Sequence, residues 1–164
     1  MSPAVAGARG RVTDPRALVR RAREWAAAHG GEIQLLNADL VLGEEHLVVA
    51  AEHAARAFAE GTQASEGIGL ETLVYAAAER QITAALARVG LREGTERVAV
   101  IAWGLDPAEV LPELGLVRDD TVLESTDAKL AAFGFTAAEL DTVPRGRRHE
   151  LVFERMALVD VLRR

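Results

Sequence analysis

The sequence predicts an α/β (α+β) fold, a single domain in which a small mixed sheet packs with several helices. Three observations carry this. The chain has 164 residues, a length that suits one domain. Glu32 to Asn37 alternates polar and apolar residues, and Arg97 to Trp103 holds Val98, Val100 and Ile101, each over a strand's length. Around them, apolar residues recur at helical spacing, so strands interspersed with helices should pack as helices covering a sheet.

Taken in chain order, the small residues of 1–12 predict a disordered leader, with the domain spanning 13–164. Thr13 or Asp14 is suited to cap a helix, and Pro15 suits its first position. That helix runs to about His29 and stops at Gly30-Gly31. In Glu32–Asn37, Ile33 and Leu35 share one face, as a strand requires. Gly43 opens a second helix that ends near Glu60, and residues 61–67 form a polar loop. A third helix is predicted from Gly69 to Val89, stopped by Gly90. At ~1.5 Å per residue it would be roughly 30 Å long. Arg97–Trp103 is the second strand, and Asp106-Pro107 caps a short helix reaching Leu114. Leu116-Val117 and Thr121–Leu123 read as short strands around the turn at Asp119-Asp120. Thr126-Asp127 starts a helix ending at Gly134, and Thr136 with Glu139 forms a capping box. Pro144 to Arg148 is a basic loop, and Glu150 to Leu162 closes the chain as a helix.

Composition narrows the function classes. The hydrophobic fraction is 49%, much of it alanine, and aromatics are 4%, so the core is built from small side chains. A net charge of −6 argues against a broad nucleic-acid sleeve, which needs a basic surface. It leaves room for a short single-stranded end that presents few phosphates. The absence of cysteine removes disulfides, thiolate metal sites and a cysteine nucleophile. No apolar run has the length of a signal peptide or a membrane span, which predicts a soluble, cytoplasmic protein without membrane contact.

The most informative stretch is Gly69 to Ile82. On one helix, Leu70, Leu73, Val74, Ala77, Ala84 and Ala85 form an apolar side, and Gln81 falls near its middle. An amide there must find partners or lose stability. It is either a core amide capping a loop or a group with a function. Arg80 lands at the edge of that side.

Other patterns are weaker. His46 and His53, with Glu44, Glu45 and Glu52 nearby, invite a metal or small-hydrolase reading. Seven residues of helix separate the imidazoles by ~10 Å along the axis, too far for one ion. Packing histidines are the simpler reading, and no metal, cofactor or catalytic residue is assigned. Gly67-Ile68-Gly69 opens like a dinucleotide fingerprint, but Thr72 stands where the third glycine belongs. Asp119, Asp120 and Glu124 read as a turn and a solvated face. Arg145, Arg147 and Arg148 form the one dense basic run, a solvated loop or a phosphate contact. The last helix is apolar nearly all round, central to the core or covered by another chain, with Phe153 and Met156 as candidate partner anchors.

Three blocks together resemble a known family. The first is Gly43-Glu44-Glu45-His46-Leu47 with Ala50, His53-Ala54 and Ala57-Phe58. The second is Gly69-Leu70-Glu71 with Leu73, Tyr75-Ala76 and Glu79-Arg80-Gln81-Ile82, and it is the most specific. The third is Phe133-Gly134, Glu139-Leu140 and Leu151 through Val161. They are similar to the smallest regulatory subunit of the KEOPS complex, the PRPK-binding protein (TPRKB) family, in its archaeal form. The resemblance spans roughly residues 32–162. It implies a non-enzymatic subunit that binds the complex's atypical kinase/ATPase. It also implies engagement of the single-stranded CCA end of tRNA for threonylcarbamoyladenosine synthesis, with the threonylcarbamoyl transferase subunit as an indirect partner. Arg80 carries over as an RNA contact and Gln81 as a structural or base-edge donor. His53 and Arg56 join them through helical proximity rather than the family motif. The chain departs from the family pattern at Ala77-Ala78, where serine and glycine are expected. A structural adaptor that docks its last helix on a partner without touching RNA is the alternative.

Overall fold

Four strands form one sheet in the order β2-β3-β1-β4, where β1 is Ala4–Arg9, β2 Glu32–Asn37, β3 Arg97–Trp103 and β4 Val117–Arg118. The computed structural model describes residues 2–163. All three pairings are antiparallel, so helices and strands combine as expected but the sheet is not mixed in direction. β1 corrects the expectation of a disordered leader. Its Ala-Val-Ala-Gly-Ala-Arg sequence has no strong strand former except Val5, yet it pairs with both β3 and β4 inside the sheet. Small residues are required there. A Cβ on Gly7 would lie 2.6 Å from the Asp119 carbonyl oxygen, and the Gly7 N–H donates to Asp120 Oδ1 at 2.9 Å.

The helices are α1 (Pro15–Ala28), α2 (Glu44–Glu60), α3 (Ile68–Ala76), α4 (Ile82–Val89), α5 (Pro107–Val110), α6 (Asp127–Phe133), α7 (Ala137–Leu140) and α8 (Leu151–Arg163). Strand alternation separates two cores. Ile33 and Leu35 of β2, with Val98, Val100 and Ala102 of β3, face Leu18, Ala22 and Ala26 of α1. Leu36, Ala99 and Ile101 point the other way, into the core built by α2, α3, α4, α6 and α8. The sheet is thus the middle of three layers.

Local signals explain most boundaries. Asp14 caps α1 by accepting from Ala17 N–H at 3.1 Å, and Pro15 follows it. Thr136 and Glu139 make the expected capping box at α7. Thr121–Leu123 lies in a 3₁₀ turn rather than a strand, because Asp119 accepts from the Thr121 N–H and closes the chain locally. The Arg145–Glu150 segment is likewise a 3₁₀ turn rather than an open loop.

The predicted 69–89 helix is two helices. It breaks at residues 77–81. Glu79 N–H donates to Val74 C=O at 3.2 Å and Ala78 N–H to Tyr75 C=O at 2.8 Å, the paired bonds of a Schellman stop. Such a stop needs a left-handed residue, and Ala78 supplies it at φ 54°. The break rotates Gln81 out of the predicted apolar side. It is exposed and stands as the N-cap residue of α4.

Candidate nucleic-acid and partner interface

The Schellman stop swings Glu79, Arg80 and Gln81 outward between α3 and α4. Arg80 is exposed and makes no hydrogen bond or ion pair to any described residue. It borders a groove of about 320 Å³ whose other wall is α8, presenting Leu158, Val159 and Leu162. Two more arginines line it, and both are already engaged. Arg88 approaches Glu79 at 3.5 Å, donates to Phe133 C=O at 3.3 Å and covers the Phe133 ring. Arg155 pairs with Glu139 at 3.1 Å and lies over the Phe135 ring. The groove therefore offers one uncommitted guanidinium against an aliphatic wall. Ala78 is part of its lining, so the backbone turn that ends α3 also shapes the groove.

The other predicted site residues go elsewhere. Gln81 is exposed beside Arg80, free of the burial that singled it out. His53 and Arg56 do not line this groove. His53 is buried at 7% exposure, stacked on Tyr75 at 5.1 Å between centroids, and its Nδ1–H donates to Asp160 Oδ2 at 2.8 Å. That corrects its placement as an RNA contact, since its ring face and one nitrogen are consumed inside the fold. Arg56 is exposed, with its guanidinium 3.0 Å from His53 Nδ1. Met156 is corrected as a partner anchor. It is fully buried, because its face of α8 turns into the core. Phe153 is partly buried against the same core. The large apolar residues that α8 exposes are Leu158, Val161 and Leu162, at 54, 63 and 57%.

The remaining motifs are structural. His46 Nδ1 accepts from Leu42 N–H at 3.0 Å, and its Nε2–H donates to Ala76 C=O at 2.8 Å. It ties the entry of α2 to the end of α3 as a neutral ring. Burial pushes its pKa down to about 4; the Ala76 carbonyl opposes that shift and the Lys129 charge adds to it. Asp119 pairs with Arg9, and Asp120 pairs with Arg118 at 3.1 Å, so this acidic cluster fastens the β1–β4 edge of the sheet. Hydrogen bonds hold both carboxyls below their usual range, from Thr121 and Arg9 to Asp119, and from Gly7 and Arg118 to Asp120. The basic run is largely neutralised. Arg147 meets Glu150 at 2.6 Å, Arg148 meets Asp127 and Asp141 at 3.8 and 3.6 Å, and Arg145 meets Asp127 at 3.9 Å. The Gly67-Ile68-Gly69 turn receives the Glu32 carboxylate at the Gly69 N–H, so the start of α3 already holds an anion from β2.

A buried polar network escaped the sequence reading. Glu71, fully buried, accepts from Ala64 N–H, from Ser65 Oγ at 3.0 Å and from Arg163 at 3.0 Å. Arg163 also donates to Tyr75 Oη at 3.2 Å, and that hydroxyl donates to Asp160. Desolvation, the Asp160 hydrogen bond and nearby carboxylates raise the Tyr75 pKa well above the ordinary phenol value. Together with His53, these residues bolt the end of α8 to α2 and α3. Only the placement of a charge at 71, one turn before Tyr75, hinted at it. Its partners on α8 are 85 to 92 residues away.

Among the described residues, no cluster of histidines, aspartates and glutamates has the arrangement of a metal site, and no helix is long and apolar enough to cross a membrane. No curated protein matches the chain. The family model for the kinase binding protein CGI-121 matches residues 11–141. That match spans most of the chain and includes the two helices that frame Arg80, and on it the chain belongs to the CGI-121 kinase-binding protein family.

Proposed function

We propose that the chain is a non-catalytic accessory subunit of a KEOPS-type assembly, holding the assembly's atypical kinase/ATPase and gripping the single-stranded CCA end of tRNA in the Arg80 groove. Membership of a kinase-binding family supports the first half. The second rests on one observation, the unpaired Arg80 guanidinium facing an aliphatic wall on a chain of net charge −6. A short single-stranded end presents few phosphates, so one or two arginines suffice to hold it. Arg80 meets a phosphate, Leu158 and Leu162 pack against base faces, and the exposed Gln81 amide reaches a base edge. An aliphatic wall gives weaker stacking than an aromatic one, which suits modest affinity and low sequence selectivity. By presenting the tRNA, the subunit supports the transferase that makes threonylcarbamoyladenosine without contributing a reacting group.

The test is a titration of tRNA with and without its CCA end, on the wild type and on Arg80→Glu. Binding should weaken on removing the end and on reversing the charge, while kinase binding persists. The salt slope should match one or two phosphates, a log–log slope of about −0.7 to −1.4. Equal affinity for both tRNAs removes the end-recognition reading. The adaptor alternative is favoured by the exposed Leu158, Val161 and Leu162. Val161→Asp distinguishes the two, because Val161 lies on the outer face of α8 and does not line the groove. Loss of kinase binding by Val161→Asp, with RNA binding untouched by Arg80→Glu, would establish the adaptor.

A further inference from the structure

A second groove, sharing no lining residue with the Arg80 groove, runs between α1 and α4. One part, of about 680 Å³, sets Ala26 and Ala27 of α1 opposite Leu70 and Ile82. The other, of about 550 Å³, sets Arg16, Val19 and Arg20 opposite Leu86 and Leu91. The start of α1 thus faces the end of α4, and the two walls run antiparallel. Arg23 and Leu70 belong to both parts, so the groove is continuous. From Arg16 to Ala27 it follows α1 for ~16 Å, about three helical turns. Its floor is sealed, with Gln34 and Leu35 at 4 and 2% exposure. An occupant therefore meets the side chains of the walls and not the backbone of the sheet. Those walls keep apolar surface within reach of solvent: Leu86 is exposed, and Val19, Leu70, Ile82 and Leu91 are half-buried.

One wall carries the positive charge. Arg16, Arg20 and Arg23 line the groove from α1. All three are exposed, and none pairs with a carboxylate among the described residues. At helical spacing they fall within about 60° of one another around α1, beside its buried stripe of Leu18, Ala22 and Ala26. Their Cα atoms advance by ~6 Å and ~4.5 Å along the axis. A second helix laid alongside repeats those steps with residues at i, i+4 and i+7. Alternate residues of an extended chain advance ~6.8 Å each and fall out of step. The α3–α4 wall facing the arginines is uncharged, and Ile82 and Leu86 stand one turn apart on it. Two helical walls present rows of side chains at i, i+3 and i+4, the surface into which another helix packs.

We infer that the groove between α1 and α4 is a docking site for an amphipathic acidic helix of a protein partner, its carboxylates at i, i+4 and i+7 over Arg16, Arg20 and Arg23 and its apolar face against Leu70, Ile82 and Leu86. Apolar contact supplies the affinity, and the flanking arginines set register, as charged positions beside the seam of a coiled coil do. Unpaired carboxylates make RNA a poorer occupant. Glu24, Glu32 and Glu66 line the groove and form no ion pair among the described residues. In the Arg80 groove the one lining carboxylate, Glu79, is met by Arg88 at 3.5 Å. A phosphodiester strand carries a charge at every step and would run past those acids, whereas a helix confines its carboxylates to the arginine end. A second copy of this chain offers the exposed apolar face of α8, whose one exposed acid, Glu154, is too few for three arginines. The site is separate from the Arg80 groove and requires no RNA binding there.

The experiment titrates the full chain into a fluorescein-labelled peptide of ~20 residues, long enough to hold a helix, and follows anisotropy. The peptide carries glutamate at i, i+4 and i+7, leucine on the adjoining face and alanine elsewhere. A control peptide has the same composition in an order that scatters the glutamates around the helix. The matched peptide should bind about ten-fold more tightly than the control. The triple variant Arg16→Glu, Arg20→Glu, Arg23→Glu should remove that preference. Leu86→Ala should weaken binding without changing its salt dependence, and it tests the groove by itself if the charge reversals disturb α1. The arginines and Leu86 are exposed, so these variants leave the core intact. Amide shifts on adding the peptide should cluster on α1 and α4. Equal binding of the two peptides, affinity indifferent to both variants, or shifts confined to other helices would overturn the proposal. So would displacement of the peptide by a lower concentration of a uridine oligomer, or a concentration-dependent dimer abolished by the triple variant.

Discussion

Acid should destabilise this protein through His46. The ring is 1% exposed and is fixed as one tautomer: Nδ1 receives the Leu42 N–H and the protonated Nε2 donates to the Ala76 carbonyl. Adding a proton to Nδ1 sets it against the Leu42 N–H, so a bond becomes a clash of donors. It also places a charge in a dry core beside Lys129. The folded pKa is about 4 against an ordinary 6.5. The sign follows directly. Between those values the unfolded chain takes up the proton and the native chain does not, so stability falls as pH falls. The contribution is fully present above pH 6.5 and is lost progressively down to about pH 4. At about 1.36 kcal/mol per pH unit the interval corresponds to about 3 kcal/mol, a large share of the ~5–15 kcal/mol of a typical domain. Carboxylates titrate in the same window, so the measurement is a difference. His46→Gln keeps one acceptor and one donor but does not titrate. Urea unfolding followed by circular dichroism from pH 7.5 to 4 should show the wild type losing about 3 kcal/mol relative to the variant. Parallel stability curves for the two proteins across that window would refute the reasoning.

Ala78→Gly should stabilise the fold by up to about 1 kcal/mol, because the left-handed cost of ~1–2 kcal/mol at φ 54° outweighs the added freedom of glycine in the unfolded chain. A loss of stability in thermal unfolding would contradict the Schellman assignment. Arg163→Ala should cost roughly 3–5 kcal/mol by stranding the fully buried Glu71 carboxylate. The double variant with Glu71→Gln should recover part of it, and a simple sum of the two single losses would show that the pair is not coupled. Gly7→Ala should cost roughly 1–3 kcal/mol by driving a Cβ to 2.6 Å from the Asp119 carbonyl. An unchanged denaturation midpoint would mean that the Asp119 turn yields freely.

What the sequence made legible were the features that act within a few residues. Asp14 with Pro15, Thr126, Asp106 with Pro107, and Thr136 with Glu139 each mark a helix start through contacts spanning one turn, and each is found where expected. The β2 strand was visible from its alternation and β3 from its valine and isoleucine run, each of the right length. β1 was not, because its small residues answer to neighbours about 90 or more residues away rather than to strand propensity. The break after α3 was hidden for a different reason. Glycine normally announces a left-handed stop, and here alanine occupies that position, so the apolar period ran on unmarked through residues 77–81.

That one masked stop decides how the candidate site reads. On an unbroken helix, Gln81 would be buried and Arg80 would project from the rim of a rod. With the turn in place, Arg80 and Gln81 both face solvent, and Arg80 faces the exposed leucines of α8 across a groove. Long-range contacts complete the geometry. Asp160 and Arg163, drawn into the network of Glu71, Tyr75 and His53, fix the rotation of α8 about its axis. The same rotation buries Met156 and turns Leu158 and Leu162 outward. The anchor expected from composition and the wall observed in the structure are therefore opposite faces of one helix. A charge network that no local pattern reveals chooses between them. Loosening it with Arg163→Ala should accordingly weaken the tRNA binding proposed for the Arg80 groove even though Arg163 lies outside the groove lining. An Arg163→Ala protein that remains folded and binds tRNA as the wild type does would separate the network from the site.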